Sequence, residues 1–271
     1  MTRFIRNLLC LTFIAATVFV YAVPVTIFHT NDTHSAYLPQ NSRSGKIGGY
    51  ATLEYYLNAE RAKTPVSLYL DAGDQQTGSI FSSLAYADAI GGAVIKVFNY
   101  LNLDAATYGN HEFDYSHENT IKLRELANYP FITTNILDEK NQPFGNMPYQ
   151  IFSLDSLKIG IMGLTLTELP EKVKRENITG LTILPYKEAI DKYIEEVDKQ
   201  SDLIILLTHN GLGADSLLAT VLDNRIDLII GGHSHTVISE PFQVNGIYIA
   251  SAGSYLNYLG AINIEVQNDR I

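Results

Sequence analysis

Five short polar clusters punctuate this chain, and each follows an apolar run: 32-DTH-34, 73-GD-74, 109-GNHEFD-114, 208-THNG-211 and 231-GGHSHT-236. They contain His34, His111, His209, His233 and His235, beside Asp32, Asp74 and Asn110. A lone histidine at a strand end is ordinarily a packed or solvated side chain, whereas five gathered at such positions point to metal ligation. Within Asp32-x-His34 and His233-x-His235, residues two apart on an extended backbone are expected to project to the same side. Carboxylate oxygens mixed with imidazole nitrogens suit borderline first-row divalent ions, while calcium prefers oxygen alone. With His111 set aside, Asp32, His34, Asp74, Asn110, His209, His233 and His235 remain as candidate ligands. That set is too large for one ion that keeps an open position, and it fits two ions sharing a bridging carboxylate. The chemistry of such a pair is hydrolysis.

The elements that must position these clusters follow from hydrophobic periodicity. Residues 23–28 read as an apolar strand, then a Gly/Ser-rich loop leads to a helical pattern over 50–62. Residues 66–70 are a second strand, 81–101 a long apolar-faced helix weakened at Gly91-Gly92, and 103–107 a short strand. A helix at 117–127, a strand at 131–134, two strands at 148–154 and 157–163, and a loop over 164–185 come next. A charged helix at 186–199 precedes a strand at 203–207. A short helix near 214–222 leads to the apolar run 227–230, and three short strands finish the chain. Strands alternating with helices, then accumulating, give an α/β fold with a partly mixed sheet. In open α/β sheets ligands bind beyond the carboxyl ends of strands, and all five clusters fall there.

Of the 271 residues 46% are hydrophobic and 18% charged, enough for a sizeable core and unlike a disordered chain. Arg3 and Arg6, the apolar stretch from Leu8 to Val20 and the small Ala22 have the pattern of a secretory leader. A bilayer span needs about 20 apolar residues, more than this stretch offers. Residues 1–22 are therefore read as a cleaved signal peptide and 23–271 as one catalytic domain, secreted or periplasmic, with no stable membrane insertion afterwards. The single cysteine, Cys10, lies in the leader, so the mature chain relies on packing rather than disulfides. Losing the leader removes two of the 19 basic residues and none of the 29 acidic ones, deepening the net charge from −10 to −12. Such a charge argues against a nucleic-acid polymer as partner. It does not forbid a small anionic substrate, because bound ions dominate the local potential and distant charges are screened beyond about 8–10 Å.

In this order, D-x-H, G-D, G-N-H-E, an isolated histidine and G-H-x-H resemble the calcineurin-like metallophosphoesterase superfamily. The longer stretches IFHTNDTHSAYLP, LDAGDQQTGSIFSSL, YGNHEFDY and IIGGHSHT resemble the N-terminal catalytic domain of the 5′-nucleotidase / 2′,3′-cyclic phosphodiesterase family. The resemblance covers nearly all of residues 24–265. It implies a four-layer α-β-β-α sandwich with two mixed sheets. It also implies two divalent ions (Zn, Mn, Co, Fe or Ni). Asp32, His34 and His235 would hold one ion, Asn110, His209 and His233 the other, and Asp74 would bridge them. His235 departs from the amide that nucleotidases of this group often carry there. By the same resemblance His111 is catalytic, stabilising the transition state or protonating the leaving group, with Asp114 orienting its ring. The reaction so implied is attack on phosphorus, in line, by hydroxide bridging the two ions.

The other polar residues of these segments receive plainer expectations. Glu112 faces away from the ions, His117 and Glu118 open the next helix, and His29 packs at the end of the first strand. Asp71 either supports a ligand by hydrogen bonding or serves the turn. Asn31-Asp32-Thr33 and Asn177-Ile178-Thr179 match glycosylation sequons, although a glycan on Asn31 would block the site. The C-terminal domain that supplies base-stacking aromatics and phosphate-holding arginines in the resembled nucleotidases is not expected in this chain. The expectation is thus a phosphomonoesterase acting on a small phosphate ester, with 5′-nucleotides the leading substrate. The alternatives are a cyclic-nucleotide phosphodiesterase with the same centre, or a secreted metal- or nucleotide-binding protein without turnover.

Overall fold

Val25–Thr30 (β1) is buried at every position, which a strand achieves only when both of its faces are covered. The computed structural model to which it belongs describes residues 24–43, 45–64, 66–155 and 157–265, so the expected leader lies outside the described residues. β1 runs parallel to Ser67–Asp71 (β2), which runs parallel to Ala105–Ala106 (β3). A second sheet is built from Tyr149–Leu154 (β4), Leu157–Thr165 (β5), Leu203–His209 (β6), Leu228–Gly231 (β7), Phe242–Val244 (β8) and Ile247–Ala250 (β9), in the order β8-β9-β7-β6-β5-β4. Its four inner strands are parallel, and β4 and β8 join antiparallel at the edges. The chain then returns to the first sheet, where Gly260–Ile264 (β10) pairs antiparallel with β1.

Strand alternation divides the apolar side chains into layers. In β6, Leu203, Ile205 and Leu207 meet Ile27, Leu68 and Leu70 of the first sheet. The intervening Ile204 and Leu206 pack on the other face against Ile190, Ile194 and Val197 of the helix Tyr186–Asp198 (α4). Phe28 and Tyr69 face outward from the first sheet onto Tyr50–Arg61 (α1), Gly92–Tyr100 (α2) and His117–Leu126 (α3). Helices, sheet, sheet, helices: the molecule is the four-layer α-β-β-α sandwich with two mixed sheets that the sequence implied. Because β1, β2, β3, β6 and β7 deliver their carboxyl ends to the same region, residues far apart in sequence can meet there.

Several local expectations are corrected. The long helix over 81–101 is instead a 3-10 turn at Ile80–Ser83, a tight hairpin pairing Ala85–Tyr86 with Ala89–Ile90, and α2. Ala87 and Asp88 have φ of 49° and 63°, the left-handed pair that a two-residue hairpin needs, and Gly91 caps α2 with φ 82°. An apolar run continuing through this segment hid the break. Residues 131–134 make isolated bridges rather than a strand, and β3 is shorter than expected. The loop over 164–185 contains a helical turn (Leu169–Lys172), a 3-10 turn (Arg175–Ile178) and a strand (Thr182–Ile183) paired with Ile136–Leu137. Among the described residues, no helix is long and apolar enough to cross a membrane.

Candidate metal centre

The chain leaves β1 in a turn rather than a continued strand. Asp32 and His34 both adopt left-handed backbone with φ 48°, as do Asp74 (56°), His233 (74°) and His235 (53°). That region is costly for residues carrying a Cβ and clusters at functional sites. The extended geometry expected for Asp32-x-His34 and His233-x-His235 is therefore absent. Backbone bonds from Asp32 N to Gly73 O (2.9 Å) and from His34 N to Asp74 O (3.0 Å) hold the first turn against the loop after β2. Gly109 precedes Asn110 because a Cβ there would collide with Asp74 Oδ1, and Gly232 precedes His233 because a Cβ would lie 2.8 Å from Ala72 O.

All the sequence-derived residues gather at this end of the sheets. Ligand atoms of Asp32, His34 and His235 lie within 4.8 Å of one another, and so do those of Asp74, His209 and His233. His34 Nε2 is 2.9 Å from His235 Nε2. Asp32 Oδ1 is 3.4 Å from His235 Nε2 and 3.8 Å from His209 Nε2, and Asp74 Oδ2 is 3.1 Å from His209 Nε2. His209 Nδ1 donates to Ala72 O at 2.7 Å, which directs the lone pair of Nε2 inward. Asn110 Oδ1 is buried without a hydrogen-bond partner among the described residues, and His209 Nε2 faces the carboxylates of Asp74 and Asp32. An orphaned acceptor and imidazoles turned toward carboxylates are what divalent-metal ligands require, so the donor set fits divalent cations.

The electrostatics agree. Burial disfavours a charged His209, yet Asp74 and Asp32 outweigh it and carry the imidazole up to about 10. Against its own burial, Asp74 is held below the ordinary carboxylate range by His209 and His111. Burial lowers His34 and His233, whereas a hydrogen bond with Asp32 raises His235. The carboxylates thus call for positive charge, which protons or divalent ions can supply.

His111 and Asp114 form a separate unit. His111 Nδ1 and Asp114 Oδ2 are 2.7 Å apart, and Thr77 Oγ1 donates to the same oxygen at 2.5 Å. Burial opposes charge on His111, but Asp114 and Asp74 prevail and raise it to about 9. His111 also lies close enough to His34 and Asp74 to make a third group of potential ligands. Its Nδ1 is engaged by the Asp114 carboxylate, an arrangement that suits the ring to giving a proton from Nε2.

Glu112 belongs to neither metal group, but it is more than a surface residue. Its buried carboxylate accepts from the N–H groups of Asp74 (3.0 Å), Gln75 (2.8 Å), Gln76 (3.2 Å) and Gly109 (2.6 Å), fixing two of the loops that carry candidate ligands. Asp71 serves its turn, accepting from Thr30 Oγ1 (2.6 Å) and Gly73 N (3.2 Å), and burial pushes it up to about 8. His117 and Glu118 open α3, and His29 is buried in β1, as expected. Sequence reasoning missed Asn31, whose Nδ2 donates to Asp32 Oδ2 (2.6 Å) and Gly253 O (2.7 Å). It also missed Tyr255, whose ring centroid lies 5.0 Å from that of His34 and 5.6 Å from that of His235. Adjacency to Asp32 was the available signal for Asn31; nothing local marked Tyr255. Both sequon asparagines are buried, so neither presents a glycan acceptor on the folded surface.

Comparison with known proteins bears on the family and the fold. The chain is 31% identical to a metallophosphoesterase of Bacillus subtilis, YunD, over 89% of its length and 50% of the relative's. It is likewise 31% identical to a 5′-nucleotidase of Vibrio cholerae, over 91% of this chain and 50% of that one. The chain thus spans about half the length of these relatives. The solved NAD nucleotidase of Haemophilus influenzae superposes with a TM-score of 0.80 at 27% identity, covering 92% of this chain and 48% of that chain. The family model for calcineurin-like phosphoesterases matches residues 25–237, and with these motifs on this fold the chain belongs to that family.

Proposed function

We propose that the chain is a secreted, two-metal phosphoric-ester hydrolase of 5′-nucleotidase type, with residues 1–22 as leader and 23–271 as catalytic domain. The observation that carries this reading is the convergence of two ligand groups beside a hydrogen-bonded His111–Asp114 pair. Asp32, His34 and His235 would hold one ion, Asn110, His209 and His233 the other, with Asp74 shared between them. Such ions, of Zn, Mn, Co, Fe or Ni, would supply an activated water and neutralise charge on the phosphoryl group. His111, cationic and 2.7 Å from Asp114, donates its Nε2 proton to the leaving oxygen. Relatives named 5′-nucleotidase and NAD 5′-nucleotidase support a nucleotide as substrate.

The reading is tested by assaying purified protein with Mn²⁺, Co²⁺ or Zn²⁺ on p-nitrophenyl phosphate, its bis-ester and AMP. Monoester turnover that a chelator abolishes is the expected result. Two bound ions without turnover on any of the three esters would overturn it.

A further inference from the structure

The segment between β5 and α4 reaches back to the catalytic turn through one side chain. Asn177 is buried, and its Nδ2 donates to two successive carbonyls, Phe113 O and Asp114 O, each at 2.8 Å. Those carbonyls end the 3-10 turn His111–Phe113, whose closing bond from Asp114 N to His111 O is long at 3.4 Å. So short a turn has poor hydrogen-bond geometry and little rigidity of its own. A carbonyl that the turn cannot satisfy must find a partner elsewhere when buried. Thr120 Oγ1 takes Glu112 O at 2.6 Å, and Asn177 takes the next two. The clamp is itself anchored, because Leu169 and Ile178 on either side of Asn177 sit in the core beneath α1–α3.

We infer that Asn177 is a positioning residue for the proton donor: it fixes the backbone of Asp114, whose Oδ2 orients His111 through Nδ1. This inference rests on the proposed role of His111 as the acid that protonates the leaving group. It also assigns the Asn177-Ile178-Thr179 sequon a structural meaning in place of glycosylation, since both amide hydrogens are engaged inside the fold. The amide matters more than the side-chain volume, because its two N–H groups match two carbonyls that no neighbouring backbone serves.

The test uses Asn177→Leu, which keeps the volume and removes both donors, and Asn177→Ser, which keeps one donor should the first variant not fold. His111→Ala and the double variant complete the set. Each is assayed on phenyl phosphate, a poor leaving group, and on p-nitrophenyl phosphate, a good one, with bound metal measured on the same samples. A misplaced acid should cost about tenfold in kcat on phenyl phosphate and about threefold or less on the nitrophenyl ester, with KM and metal content unchanged. Asn177→Ser should fall between, and Asn177→Leu should cost nothing further in the His111→Ala background. Equal losses on both esters, or additive losses in the double variant, would show a merely structural side chain and overturn the inference. Normal kinetics of the Asn177 variants beside an impaired His111→Ala would overturn the clamp alone. An unimpaired His111→Ala would remove the proposed acid role, and the clamp with it.

Discussion

The turns after β1 and after β7 carry the same pattern, two candidate ligands separated by one residue, yet they use it differently. Asp32 and His34 share a group, although His34 also reaches Asp74 and His111, whereas His233 joins Asp74 and His209 and His235 joins Asp32 and His34. The first turn is laddered onto the loop after β2 by consecutive backbone bonds, which keep its direction. The second closes on itself: Ser234 N donates to Gly232 O at 3.0 Å around His233, whose φ of 74° is that of a rare γ-turn. Chain reversal at His233 is what separates the two histidines. Sequence spacing therefore reports that both residues can reach a site, while local hydrogen bonding decides which part of it.

The strongest way to break this comparison is through the residue that both turns depend on. Asp74→Ala should weaken both ions together and lower kcat/KM by a factor on the order of 10³ or more; metal analysis after gel filtration checks it, and retention of either full equivalent would contradict the bridging role. A sharper and somewhat smaller effect separates the turns. His233→Ala and His235→Ala should each release a different metal equivalent, and their combination both, with roughly 10²-fold losses singly. Asp32→Ala and His34→Ala should instead release the same equivalent and be strongly non-additive, as titration calorimetry with Mn²⁺ can show.

The smallest effect concerns the base of the first turn. His29 is buried in β1 against Gly260, and burial lowers its imidazole from 6.5 to about 4. Between those values the unfolded chain binds a proton that the folded chain refuses, so stability is complete above pH 6.5 and declines as pH falls toward 4. The loss reaches about 3 kcal/mol at most. His29→Phe should flatten that limb of denaturant midpoint against pH, and an unchanged slope would exclude His29 as its source.

Much of this was legible beforehand because the information is local. Continuous apolar runs define β1, β5 and β6, which are buried almost throughout, and the polar clusters that follow β1 and β6 mark the candidate site without any contact being known. The 81–101 segment reads as one helix because composition is continuous across it, whereas the break depends on left-handed backbone at Ala87, Asp88 and Gly91. Glu112 stays out of the metal groups as expected, but its partners are not readable in sequence: the four amides lie on two loops, and no spacing in 109-GNHEFD-114 reveals that they approach one another.

By itself, the sequence determined the α/β fold class and the residue types of a candidate metal centre, while the pairing of His111 with Asp114 was implied by the family resemblance. The first two follow from periodicity and from the clusters of neighbours at strand ends. Only the tertiary structure decided that His233 and His235 part company, that Glu112 ties the loops together, and that Asn177 and Tyr255 stand beside the reacting groups. Those are contacts between segments far apart in sequence, set by how two sheets pack and where strained turns point, and neither is written in any one stretch of residues.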